Sequence, residues 1–390
     1  MKSTDENKQV MENIAIEPLK NWDIFKQRPL IISGPCSAET EEQVMETAIR
    51  LKATSKVDVF RAGIWKPRTR PNSFEGVGSE GLKWLKMVKQ ETGLPVATEV
   101  ATEKHVYEAL KFGVDMLWIG ARTTVNPFAM HEIASALQGV DVMVLVKNPI
   151  NPELELWVGA IERILKSGVT RIGAIHRGFS TYEKTAYRNQ PRWQIAIDLK
   201  QRFPGLPLIC DPSHIGGARA YLKDISQEAM DLNYDGLMIE SHRDPDCAWS
   251  DKRQQLTPEK LDEMLGQLVL RTEVSEDQNF ISVLDELRRQ IDIFDDQLFD
   301  ILERRMQVAE TIGQYKKAHQ ITILQSNRWQ EIVDKAARKG DMKGLSREFI
   351  TVILKAIHQE SIDRQVKIMN VEAPTEPVKE SVGAGQSGAA

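Results

Sequence analysis

Lys66, Arg68 and Arg70 put three cations into five residues of the stretch WKPRTRP, in a chain whose formal net charge is −5. Pro67 and Pro71 stiffen that loop, so it presents Lys66, Arg68 and Thr69 as a fixed set of donors for a phosphate. Further cations, Arg61, Arg122, Lys147 and Arg177, stand at the ends of short apolar runs. Gathering so many like charges is costly unless anions neutralise them, and guanidinium forks match oxyanions bidentately. The set therefore points to at least two phosphates and a carboxylate. A second set, Cys36, His214, Glu240 and Asp251, offers a thiolate, an imidazole and two carboxylates. Such mixed donors suit a borderline divalent ion: Mn²⁺, Fe²⁺, Zn²⁺ or Co²⁺. Cys210 and Cys247 read as structural.

These residues need a frame. From Pro29 to Ser241 the runs PLIISG, DVFRAG, PVATEV, DMLWIG, VMVLVK, TRIGAIH, LPLICD and GLMIES alternate with amphipathic stretches of helical period. Eight nearly continuous apolar strands separated by helices indicate a parallel sheet, most economically closed as a (β/α)8 TIM barrel. An open doubly wound sheet is the weaker alternative, because no Gly-rich fingerprint follows the first strand. In a barrel the chemistry sits at the C-terminal strand ends, where both residue sets fall.

At 390 residues, 41% hydrophobic and 27% charged, the chain reads as a soluble protein with a sizeable core. Mild acidity argues against nucleic acid. No run of membrane-spanning length and no leader-like start is visible, so a cytoplasmic, reducing setting is expected, with three unpaired cysteines. The expected divisions are a short extension at 1–28, a barrel at 29–271, a linker at 272–279, a helical unit at 280–369 and a disordered tail at 370–390. Within the helical unit Leu284, Leu287, Ile291, Phe294, Leu298 and Ile301 repeat at helical spacing, which predicts one long helix to about His319. Helices at about 326–339 and 346–369 follow. A first helix that long cannot bury its stripe alone, so a second copy of the chain is expected against it, in a homodimer or higher homo-oligomer.

The motifs GPCSAE, RAGIWKPRTRPNSFEG, IGART, HRGFSTYEK and DPSHIGG together resemble the type I DAHP synthases (3-deoxy-D-arabino-heptulosonate 7-phosphate synthases), over about Pro29 to Leu270. The resemblance implies condensation of phosphoenolpyruvate with erythrose 4-phosphate. It also implies metal ligation by Cys36, His214, Glu240 and Asp251. Arg61, Lys66, Arg122, Lys147, Arg177 and the backbone at Ala121 would hold phosphoenolpyruvate, while Pro67, Arg68 and Thr69 belong to the loop that takes the aldose phosphate. Glu99, Lys66 and His176 are open alternatives for handling water. The related 3-deoxy-octulosonate 8-phosphate synthases, which use arabinose 5-phosphate, are the runner-up; they generally lack the KPRT loop.

In the helical unit, Arg305 and Lys316 lie eleven residues apart, about 20° apart in angle and about 16 Å along the axis, so their side chains can converge. Arg288 is about 25 Å from Arg305, too far to share a ligand within one chain. The sequence LDELRRQIDIFDDQLFDILERRMQVAETIGQYK resembles the first helix of the all-helical chorismate mutases. That resemblance implies the rearrangement of chorismate to prephenate, with Arg305, Lys316, Arg328, Ser361 and Gln365 in the pocket and Arg288 entering from a partner chain. It also implies a departure: Gln325 and Trp329 stand where the family usually has Asp and Glu, the latter contacting the substrate hydroxyl. The alternative is a catalytically inactive dimerising or regulatory module. Feedback by prephenate or chorismate would run through this unit.

Overall fold

The computed structural model describes residues 16–67, 74–182, 185–324 and 326–370, the side chains of 326–328 excepted. Arg68, Thr69, Gln325, the Arg328 side chain and the tail after 370 lie outside the described residues. Contacts divide the chain into two units, after Glu273.

In the first unit eight parallel strands close in sequence order: β1 (Leu30–Gly34), β2 (Val59–Arg61), β3 (Val96–Val100), β4 (Met116–Ile119), β5 (Met143–Lys147), β6 (Ile172–His176), β7 (Leu208–Cys210) and β8 (Gly236–Glu240). Closure comes from β1 against β8, in register from Leu30↔Gly236 to Gly34↔Glu240. Helices begin on side-chain caps, as where Thr40 accepts from Gln43 N–H and Thr257 from Lys260 N–H. They bury aliphatic faces against the outside of the sheet, where Ile31, Phe60, Val144 and Ile172 belong to one large core.

Alternation along each strand decides what reaches the mouth. Leu30 and Ile32, Val59, Ala97, Met116 and Trp118, Met143 and Leu145, Ile175, Ile209 and Met238 form the barrel interior. Continuing each series by two residues gives Gly34, Arg61, Glu99, Gly120, Lys147, Arg177, Asp211 and Glu240. The top interior layer is thus polar, and it lies above a packed apolar plug. Leu19, Trp22 and Ile24 join the same interior cluster, and Glu17 N–H bonds Thr170 O just before β6. Part of the leading segment therefore belongs to the barrel unit.

The second unit is helical: Gln278–Ala318, Ser326–Asp341 and Arg347–Asn370. Asp277 caps the first helix by accepting from Asn279 and Phe280 N–H. With 41 residues this helix is about 60 Å long. Its C-terminal half buries Met306, Ala309 and Gly313. Before that buried stretch Leu287, Ile291, Phe294, Leu298 and Ile301 are all more than half exposed. No described helix is long and apolar enough to cross a membrane.

Candidate active sites

At the barrel mouth the cations and the proposed metal donors interlace. Arg61, buried at the end of β2, places its guanidinium 4.7 Å from the Trp118 ring centroid. It also donates to Cys36 O at 2.9 Å and approaches Glu240 Oε1 at 3.4 Å. Lys66 Nζ donates to Cys36 O at 2.9 Å and lies 3.2 Å from Cys36 Sγ. Lys147 pairs with Asp211 at 2.8 Å. Asp211 in turn lies 2.8 Å from His214 Nδ1, which leaves His214 Nε2 turned towards Glu240 Oε1 at 3.8 Å. The Cys36 thiol donates to Asp251 Oδ2 at 3.1 Å, and Asp251 holds a left-handed backbone, φ 51°. A non-glycine residue in that region is strained and persists only where its surroundings hold it.

Burial and charge set the protonation states. Burial, with Glu240 and Asp251 nearby, pushes the Cys36 thiol up to about 12. Burial would raise Asp211 too, but His214 and Lys147 hold it well below the usual carboxylate range. Burial also opposes ionisation of Glu240, yet His214 and Arg61 outweigh it and lower its pKa. His214 is lowered by its own burial, in spite of Asp211. Arg177, buried and held by Asn189 Oδ1 at 3.0 Å, is brought down to about 10 by desolvation. Arg122 is exposed at the rim, beside Ala121 at the start of a one-turn helix.

Among the described residues no three of His, Cys, Asp and Glu stand at metal-holding spacing. Lys66 and Arg61 sit against Cys36 and Glu240 instead, and the four expected donors form two pairs, Cys36 with Asp251 and His214 with Glu240. Their chemistry nonetheless fits a divalent ion: they meet at one buried mouth, and the Asp211 carboxylate lies beside the far nitrogen of the imidazole, where metal-binding histidines commonly carry one.

Alternation also corrects one expectation. His176 points out of the barrel, with Nδ1 2.7 Å from the Tyr234 hydroxyl and Nε2 2.6 Å from Pro191 O, among Trp157, Phe179 and Trp193. It cannot handle water at the mouth. Arg188 went unread in the sequence: it bonds Asp251 Oδ1 at 2.7 Å and Gln254 Oε1 at 2.9 Å. Gln254 also donates to Glu240 Oε2 at 2.7 Å, and Gln255 Oε1 accepts from Cys36 N–H at 2.9 Å. These residues lie outside the periodic segments; Gln254 and Gln255 follow β8 and come beside Cys36 through the closed β1–β8 edge, while Arg188 reaches Asp251 from the segment after β6. Asp211, recognisable as a strand-end acid, had no role in the sequence reading.

The helical unit holds a cavity of about 430 Å³ lined by residues of all three helices. Arg305 and Lys316 both face it, with Ser361 and Gln365 from the third helix and Trp329 from the second. Arg305 donates to Ser361 Oγ at 2.6 Å, and Lys316 Nζ to Ile323 O at 2.5 Å. Gly313 lets Gln365 close on the first helix: a Cβ there would lie 3.0 Å from Gln365 Cγ. Arg288 is exposed and pairs with Asp285 at 3.3 Å, away from this cavity.

An eight-stranded barrel with a cation-rich, acid-rich mouth, followed by three helices around a cationic cavity, defines a two-site protein for small anionic ligands. Residues 20–276 match the DAHP synthetase I family, and residues 287–366 match chorismate mutase type II. The chain belongs to the DAHP synthetase I family. The phospho-2-dehydro-3-deoxyheptonate aldolase of Thermotoga maritima is 34% identical over 238 residues, 61% of this chain and 68% of that protein. A 2-dehydro-3-deoxyphosphooctonate aldolase of Desulfatibacillum aliphaticivorans is 31% identical over 266 residues, 62% of this chain and 90% of the relative. The crystal structure of the Thermotoga maritima DAHP synthase superposes with a TM-score of 0.55 at 33% identity, covering 61% of this chain and 67% of that one. A truncated form of the Thermotoga enzyme gives 0.56 at 29% identity, covering 66% and 92%.

Proposed function

We propose that the chain is a bifunctional enzyme of the shikimate pathway. Its barrel condenses phosphoenolpyruvate with erythrose 4-phosphate to DAHP and phosphate, and its helical unit rearranges chorismate to prephenate. The observation that carries the first half is the polar top layer of the barrel, in which Arg61, Lys66, Lys147 and Arg177 converge on a buried mouth. These cations, with Arg122 and the backbone at Ala121, would bind the phosphate and carboxylate of phosphoenolpyruvate. Arg68 and Thr69 would bind the phosphate of the aldose. Cys36, His214, Glu240 and Asp251 would hold a divalent ion, which supplies a Lewis acid for the aldehyde. The enol C3 then attacks the aldehyde carbon, water adds at C2, and the C–O bond to phosphate breaks. Lys66 and Glu99, both at the mouth, are the groups placed to exchange protons with that water. Swapping erythrose 4-phosphate for arabinose 5-phosphate in the assay separates this reading from the octulosonate reaction of the second relative; preference for the five-carbon sugar would reject it.

For the helical unit, a unimolecular rearrangement needs only a pocket that holds the compact conformer and meets charge developing on the ether oxygen. Arg305, Lys316, Ser361 and Gln365, with Arg328, would form it. Arg288 would come from a second copy seated on the exposed apolar stripe of the first helix, and prephenate or chorismate bound here would slow the barrel. Trp329 in the cavity wall favours the second reading, a regulatory module without mutase activity. Chorismate loss by absorbance, for wild type and Arg305→Ala, with phosphoenolpyruvate consumption followed in parallel, distinguishes them. Mutase activity abolished by the substitution supports two active sites; condensation without any mutase activity in the wild type leaves only the module.

A further inference from the structure

The mutase pocket contains a side-chain pair to which the reading above gives no task. Trp329 and His358 face the same cavity as Arg305, Lys316, Ser361 and Gln365, with ring centroids 4.1 Å apart and planes tilted by 32°. His358, Ser361 and Gln365 recur at helical spacing of three and four, so all three share one face of the third helix. We infer that His358, braced by Trp329, hydrogen-bonds the ring hydroxyl of the substrate; the inference rests on the mutase reading.

Elimination among the polar groups of the cavity leaves His358 for the hydroxyl. A chorismate-like ligand carries two carboxylates, an ether bridge and one hydroxyl. Arg305 and Lys316 are cations matched to the carboxylates and to negative charge at the ether. Ser361 Oγ is already committed, since it accepts from Arg305 and donates to Ile357 O at 2.8 Å. Gln365 lies against Gly313, three residues before Lys316. It therefore serves the Lys316 end of the cavity, and its buried Oε1 has no partner among the described residues. His358 lies about 10 Å along the axis from Gln365. Among the described residues its ring nitrogens have no hydrogen-bond partner. Partial burial and the nearby Arg305 lower its pKa, which favours the neutral ring. A neutral imidazole donates from one nitrogen and accepts at the other, which suits a hydroxyl. Trp329 lines the same wall of the cavity, and its indole donates but cannot accept a hydrogen bond. Its remaining service is to fix the imidazole plane.

The test compares kcat/KM for chorismate and for a chorismate analogue lacking the ring hydroxyl, in wild type, His358→Phe and His358→Gln of the full chain. Far-ultraviolet circular dichroism checks that the helices persist. His358→Phe keeps a ring on Trp329 and removes the hydrogen bond, so kcat/KM for chorismate should fall about tenfold. The loss should be largely restored in His358→Gln and vanish with the analogue. Equal losses for both substrates would show that the ring acts only by packing, and an unchanged His358→Phe would reject the contact outright. Absence of mutase activity in the wild type would instead remove the reading beneath it, a result separable from either of these.

Discussion

At the residue scale, the acids and the histidines carry the sharpest expectations. His176 is fully buried and neutral, with burial taking its pKa from 6.5 to about 4. Its folded pKa is depressed, so as pH falls the unfolded chain binds the proton first. Stability is intact above 6.5 and drains as pH falls towards 4, by about 2 kcal/mol at pH 5. Urea unfolding should show this slope in wild type and lack that part of it in His176→Phe, though the variant is less stable overall for losing two hydrogen bonds. Asp211 fixes the His214 ring from behind. Asp211→Asn should weaken divalent-ion affinity about 10–100-fold, read by metal titration of the full chain; unaltered affinity would mean that His214 is not a ligand. Much of this site was legible in residue type and strand-end position, as with Arg61, Lys147 and Glu240. The outward turn of His176 was not, because a histidine one step before Arg177 reads as a strand-end residue until the inward series is counted. Arg188 was invisible for a different reason: its partner Asp251 lies 63 residues away on another loop.

Elements were read more fully than contacts. All eight apolar runs became strands, because buried parallel strands cannot dilute their apolar content on either face. The long C-terminal helix runs Gln278–Ala318, close to the span its period predicts. Periodicity also explains what it leaves open: the stripe of Leu287, Ile291, Phe294, Leu298 and Ile301 needs a partner, and nothing in the stripe names it. If a second copy provides it, Leu298→Asp should shift sedimentation from dimer to monomer and remove mutase activity together with the partner's share of the pocket, while condensation persists. A variant that stays dimeric with full mutase activity would place the interface elsewhere.

For the whole molecule, the feature that reaches furthest is the interlacing of charges at the barrel mouth. Arg61, Lys66, Arg122, Lys147, Arg177 and Arg188 stand among Glu99, Asp211, Glu240 and Asp251, in a chain that is acidic overall. The four acids offset only part of the six cations, so an approaching anion meets a residual positive field well below what the cations alone would give. Diffusional capture should therefore be slower than in enzymes with an uncompensated cationic mouth, and only modestly sensitive to salt. Raising ionic strength from low to near-physiological should change kcat/KM for phosphoenolpyruvate less than about threefold, where guided association changes 10-fold or more. Ligand affinity at this mouth is then partly an exchange of partners at short range: an oxyanion that takes Arg61 or Lys147 displaces Glu240 or Asp211 from it, and the displaced acids become free to take up whatever positive charge enters with it.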